Sequence, residues 1–264
     1  MDDFQYHAPS SVDGVLSALR GADDGKVLAG GMSLVPVLKL GLAAPSHLVS
    51  LRNVPGLSDI EDHGHCLKIG ACCTHAQVAA SSVVQERIPA LAAMAGRIGD
   101  PQVRNCGTIG GSVAHNDPAA DYPAACVGLG ATIITDRRKI SSDDFFGSMF
   151  ETALEEDELV TAVCFPIVAR AAYAKFENPA SKYAVAGVMV AQGDDGVRVA
   201  VTGAGAGVFR VAEMEAALAD DFSADAVAGI GVSSDGLLSD NVAGAEYRAH
   251  LVTVMARRAV EACG

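Results

Sequence analysis

The stretch from Gly107 to Asp121 reads G-T-I-G-G-S-V-A-H-N-D-P-A-A-D, a glycine-rich turn running straight into polar and acidic residues. Far upstream stands a second such turn, Ala29-Gly30-Gly31-Met32-Ser33-Leu34, flanked by Val27-Leu28 and Val35-Pro36-Val37. Two Gly-Gly turns between apolar segments suit one elongated anion, such as a dinucleotide. Backbone N–H groups close on phosphate only where no side chain intervenes, and glycine removes that obstacle. The turn at Gly203-Ala204-Gly205-Ala206-Gly207 is a weaker candidate. Val208 stands where a third glycine of a dinucleotide fingerprint belongs, so it reads as a flexible turn after a strand. No phosphate-binding G-x-x-x-x-G-K-[ST] run occurs.

Other reactive side chains form no site by spacing. The seven cysteines, Cys66, Cys72, Cys73, Cys106, Cys126, Cys164 and Cys263, are scattered, contain no C-x-x-C and read as reduced thiols. Asp62-His63-Gly64-His65-Cys66 sits on a hairpin-turn signal with no distant fourth ligand, so no metal is expected. Asp117-Pro118 reads as a turn and cap, and His115 as either a hydrogen-bonding loop residue or a cofactor contact.

These turns need elements to hold them. Ser11 can cap a helix carrying Val12, Val15, Leu16 and Leu19 and ended by Gly21. Strands follow at 26–29 and 47–51 with a short helix over 34–40 between them, an α/β pattern. From Leu57 the chain becomes more β-rich, with strands at 57–61, 66–69, 131–135 and 159–165. Helices are expected after Thr74 and over 88–98. Residues 166–170 mark the boundary to a second unit, in which 172–177, 184–191 and 197–203 read as antiparallel strands. A hairpin turn at Gly193 to Gly196 joins the last two. Helices over 212–218 and 245–262 close the chain. The latter is expected to turn Tyr247, Leu251, Val254, Met255 and Val260 inward and Arg248, Arg257 and Arg258 outward.

With 264 residues, half of them hydrophobic, and a mean hydropathy of +0.28, the chain can bury a large core. A net charge of −13 argues against nucleic acid, whose phosphates need a basic surface. The acidic start Met1-Asp2-Asp3-Phe4-Gln5 lacks the apolar stretch of a signal peptide, and the longest apolar run, Ala124 to Ile134, is too short to span a bilayer. A cytoplasmic protein without a membrane span is expected.

The detailed context of the two turns goes further. A-G-G-M-S-L-V-P-V-L-K-L at 29–40 and D-P-Q-V-R-N-C-G-T-I-G-G-S-V-A-H-N-D-P-A-A-D at 100–121 resemble the FAD-binding medium subunit of the molybdenum hydroxylases. F-F-G-S-M-F-E-T-A-L-E-E-D-E-L at 145–159 and A-E-Y-R-A-H-L at 245–251 extend the likeness over essentially the whole chain. Within that family, the carbon monoxide dehydrogenase type is most similar. The resemblance implies an α+β chain containing a vanillyl-alcohol-oxidase (PCMH) type FAD-binding domain over 1–168, with α/β subdomains at about 1–56 and 57–168. A C-terminal α+β domain over 169–264 follows.

By the same resemblance, Ala29, Gly30, Gly31, Met32 and Ser33 match a first pyrophosphate turn, although His or Gln is common where Met32 stands. Thr108, Ile109, Gly110, Gly111 and Ser112 match a second. Ile98 and Leu154 match apolar contacts to FAD, and Asp121 a carboxylate accepting hydrogen bonds from it. Tyr183 matches a residue covering one face of the flavin ring. Lys175 matches a cation beside the ring, against the alternative of a solvated strand residue. The implied role is electron transfer: a small 2Fe-2S subunit passes electrons from a molybdopterin-binding large subunit, and an acceptor such as a quinone or NAD takes them. No catalytic acid or base is required of this chain. The rivals are a self-sufficient FAD oxidase of small molecules and a non-catalytic nucleotide-binding module.

Overall fold

The structure is a computed structural model that describes residues 3–263, so Met1 and Asp2 of the acidic start lie outside the described residues. The chain opens with β1 (Gln5–His7), α1 (Val12–Arg20), β2 (Gly25–Leu28), α2 (Leu34–Lys39) and β3 (His47–Ser50). These strands form a three-stranded parallel sheet in the order β1-β3-β2. Parallel strands require crossovers, and α1 and α2 supply them. Ser11 caps α1 through its hydroxyl, as expected from the sequence. Val15, Leu16, Val49 and Leu51 close a small core beneath this sheet.

A second layer follows: β4 (Ile60–Asp62), β5 (Cys66–Gly70), helices α3 (His75–Ala80), α4 (Ser82–Arg87), α5 (Pro89–Gly96), α6 (Pro101–Cys106), α7 (Ile109–His115) and α8 (Asp121–Leu129), then β6 (Thr132–Thr135), β7 (Lys139–Ser141), α9 (Ser142–Phe145) and β8 (Val160–Pro166). Its five strands pair antiparallel in the order β4-β5-β8-β6-β7. Thr74 caps α3 reciprocally with Gln77, which satisfies two amide donors at once. The inner sheet face and the helices enclose the main core around Leu67, Ile69, Leu91, Met94, Ile109, Val163 and Phe165.

Beyond residues 167–169 the chain enters a four-stranded antiparallel sheet, ordered β12-β11-β10-β9. Its strands are β9 (Arg170–Glu177), β10 (Ala184–Gly193), β11 (Gly196–Thr202) and β12 (Phe209–Arg210). Gly193 and Gly196 pair across the expected hairpin turn, and Gly196 has φ +100°. One face packs on α10 (Ala212–Asp220), α11 (Ala224–Ala228) and α12 (Ala245–Ala262) through Val188, Val190, Val199, Met214, Val252 and Met255. Met189 and Ala191 point the other way, into the main core.

α8 lies between the two larger layers, and all nine of its residues are buried. Gly128 admits Met189 of β10, since a Cβ there would sit 2.5 Å from the methionine Cγ. The Arg198 guanidinium donates to the Val127 carbonyl at 2.7 Å. The sequence showed this stretch only as an apolar run; a helix apolar all round carries no helical period.

Two expectations for α12 are corrected. Arg248 does not face solvent. It is 3% exposed and donates to the Val185 and Gly203 carbonyls at 2.7 Å each and to Asp240 at 2.8 Å. Tyr247 is not inward but 47% exposed, with an edge contact to Phe176. Unpaired carbonyls at the ends of β10 and β11 need a donor, and Arg248 supplies it.

Candidate FAD site

The two glycine turns meet. Gly30 presses on the backbone just before the second turn: a Cβ there would lie 2.1 Å from the Cys106 carbonyl oxygen and 2.8 Å from the Gly107 Cα. On the other side of the junction, a Cβ on Gly111 would come 3.8 Å from Ala29 and would crowd only the Thr108 hydroxyl. Gly30 is therefore fixed by packing, and Gly111 borders more open space.

Their backbone donors differ. In the first turn, the N–H groups of Gly30, Gly31, Met32 and Ser33 find no acceptor among the described residues. Gly31 adopts φ +73°, which glycine takes without strain, and Ser33 makes no side-chain cap to α2. Consecutive N–H groups left without partners at a surface form a concavity for an anion.

The second turn is the first turn of α7, not an open loop, and its amides are engaged. Ile109 donates to Cys73 O at 3.0 Å, Gly110 to Ala71 O at 2.8 Å, Gly111 to the Thr108 hydroxyl at 3.1 Å and Ser112 to Thr108 O at 3.0 Å. Ile109 and Gly110 are buried, and a Cβ on Gly110 would strike the Ala71 Cβ at 2.4 Å. The 71–75 segment thus takes up two of the turn's amides. Of its residues, Thr108 is buried as well, and Gly111 and Ser112 are the half-buried ones.

A second cluster gathers Ile98, Asp121, Lys175 and the residues beside Tyr183. The Lys175 ammonium is fully buried and donates to Asp121 Oδ2 at 3.1 Å, to Lys182 O at 3.0 Å and to Arg97 O at 3.3 Å. Of the two alternatives weighed for it, burial removes the solvated one. It is not a solvated strand residue, and its three protons are already directed at protein acceptors. Asp121 also accepts from the Tyr173 hydroxyl. Burial pushes the Asp121 carboxyl above its usual range, opposed by the Lys175 ammonium and the Tyr173 hydroxyl. Gly187 makes the arrangement possible, because a Cβ there would lie 2.1 Å from the Tyr173 hydroxyl.

Ile98 is half-buried, and its carbonyl accepts from Arg104 at 2.6 Å. Leu154 is half-buried against the main core. Tyr183 is 56% exposed; partial burial and nearby Asp117 raise its hydroxyl above the ordinary value. The segment before α8 is clasped by the C-terminal sheet: Gly203 N donates to Pro118 O at 2.8 Å and the Thr202 hydroxyl to Ala120 O at 2.7 Å. Asp117 makes the expected turn by accepting from Ala119 N. His115 ends α7 with its ring 5.0 Å from Phe150.

Sequence reasoning missed Tyr173, Arg97, Arg104 and Thr202. One signal was present, since Tyr173 and Lys175 stand two apart on a strand and so share a face. Among the described residues no group of three His, Cys, Asp or Glu side chains is placed to hold a metal ion.

The amide-lined first turn and the glycine junction fit FAD, whose pyrophosphate needs backbone donors free of side-chain obstruction. A family model described as the FAD binding domain in molybdopterin dehydrogenase matches residues 2–168. The nicotine 6-hydroxylase medium subunit of Paenarthrobacter nicotinovorans is 35% identical over 274 aligned positions, covering 98% of this chain and 97% of that one. The carbon monoxide dehydrogenase medium chain of Hydrogenophaga pseudoflava is 39% identical over 75% of this chain and 74% of its own length. Among solved structures, carbon monoxide dehydrogenase from the same organism superposes with a TM-score of 0.91 at 35% identity, over 99% of this chain and 97% of that chain. The chain belongs to the molybdenum hydroxylase family of oxidoreductases, as one of its FAD-binding medium subunits.

Proposed function

We propose that this chain is an electron relay: it takes electrons from the iron–sulfur clusters of a small subunit and hands them to an external acceptor. The substrate is oxidised elsewhere, on a molybdopterin-binding large subunit. FAD, when bound, supplies a carrier able to accept electrons in steps and release them as a pair. The residues of this chain bind and orient it. Gly30 to Ser33 direct amide donors at the pyrophosphate, and Thr108, Gly111 and Ser112 close its other side. Ile98 and Leu154 give apolar contact, Asp121 and Lys175 set the local charge, and Tyr183 covers one face of the ring. The working compartment is the cytoplasm; no helix among the described residues is long and apolar enough to cross a membrane.

The observation that carries the reading is the run of four amide donors without protein acceptors, pressed against the start of the second turn. The relay role rests on the relatives' medium-subunit character. Anaerobic mixing tests it. The FAD-loaded chain should bleach with dithionite, and with organic substrate only when large and small subunits are co-expressed. Bleaching by an aldehyde or N-heterocycle with this chain alone would replace the relay by a self-sufficient oxidase.

A further inference from the structure

We infer that His75 is a positioning residue for FAD binding: its buried ring backs Gly107 and thereby holds the second glycine turn against the first. The inference rests on the FAD reading of the two turns and adds a residue that touches neither turn's exposed surface.

Three layers are stacked at the junction. The His75 ring is 5% exposed and tilts against Tyr122 at a centroid distance of 5.3 Å. A Cβ on Gly107 would lie 2.7 Å from His75 Nε2, 3.0 Å from Cδ2 and 3.0 Å from the Val103 carbonyl oxygen, so the glycine backbone rests on the ring edge, its nearest neighbour. Gly107 and Cys106 in turn form the surface against which Gly30 packs. The His75 amide donates to the Gly107 carbonyl at 3.0 Å, which fixes the same contact along the backbone.

One polar atom of the ring is idle. His75 Nδ1 has no hydrogen-bond partner, nor has the buried Tyr122 hydroxyl beside it. A buried ring nitrogen without a partner costs stability relative to an apolar ring atom in the same place. Shape is what this position supplies: a flat edge with Gly107 on one side and Tyr122 in contact with the ring. The geometry makes the cradle pre-assembled, with Gly30 and Gly107 seated before the cofactor arrives.

A paired substitution tests this on the full-length protein, with FAD affinity read by flavin fluorescence quenching and folding read separately by circular dichroism. Gly107→Ala should weaken FAD at least tenfold, because its methyl meets the ring. His75→Ala removes the nearer obstacle and leaves only the Val103 carbonyl at 3.0 Å, so the double variant should recover to within about threefold of His75→Ala alone. His75→Phe, which keeps a flat ring, should retain near wild-type affinity while folded His75→Ala loses severalfold. A double variant as weak as Gly107→Ala would overturn the assignment. Equal affinity for folded His75→Ala and wild type would do the same, and that comparison stands even if Gly107→Ala fails to fold. Wild-type protein that binds no FAD would instead reject the reading of the two turns.

Discussion

Lys175 shows how a single residue's role depends on its surroundings. From sequence it alternates between a solvated strand position and a cation beside a ring. Its partner Asp121 lies on another element, and nothing in the local spacing reveals the pairing. Buried together, the two charges make each other tolerable, whereas removing one leaves the other uncompensated. Lys175→Met should therefore destabilise the fold by about 3–5 kcal/mol. Lys175→Met combined with Asp121→Asn should cost less than the sum of the single changes. Urea unfolding of the four proteins measures this, and additive losses would mean that the pair is not coupled.

His75 gives a second residue-scale test. Burial, reinforced by the Arg104 guanidinium, lowers its pKa from 6.5 to about 4. The folded state thus favours the neutral ring while the unfolded chain binds a proton more readily. The resulting stability is complete above pH 6.5 and is lost as pH falls toward 4. His75→Phe should flatten the stability profile across that window. An unchanged slope would mean that His75 does not titrate as a buried base.

At the scale of elements, the second glycine turn separates two jobs that look alike in sequence. Gly110 and Gly111 are neighbours, yet Gly110 lies against Ala71 at the end of β5 and Gly111 borders the junction with the first turn. Gly110→Ala should act on the fold, lowering the melting temperature whether or not FAD is present. A Gly110→Ala protein of wild-type stability that fails to bind FAD would reverse this division. The sequence located the turn but not its internal roles, because the 71–75 segment that engages Ile109 and Gly110 is remote in the chain. Local signals served better where they were self-contained: Ser11 and Thr74 cap their helices, and Gly193 to Gly196 closes its hairpin.

For the whole molecule, the division expected at 168/169 meets a tightly shared core. α8 is buried from both sides, Met189 and Ala191 of the C-terminal sheet join the main core, and Lys175 binds Asp121 across the divide. A fragment of residues 1–168 should then expose one face of α8 and aggregate or remain loosely packed. A soluble fragment with cooperative unfolding would show that the two parts are independent. The architecture was legible through its resemblance to a family, and the α/β character of the opening through its strand and helix pattern. The interface between layers was not, because the uniformly buried α8 and the inward Arg248 obey no single period. Their placement follows from partners that only the fold brings near.

The account's central claim is that one FAD lies across both glycine turns. Equilibrium titration of flavin-free protein with FAD, comparing wild type with Gly111→Leu, tests it most directly. Wild type should bind one FAD per chain. Gly111→Leu should keep the same far-ultraviolet circular dichroism and lose FAD binding, since its side chain would enter the junction beside Ala29. A folded Gly111→Leu protein with wild-type FAD affinity and stoichiometry would contradict the account.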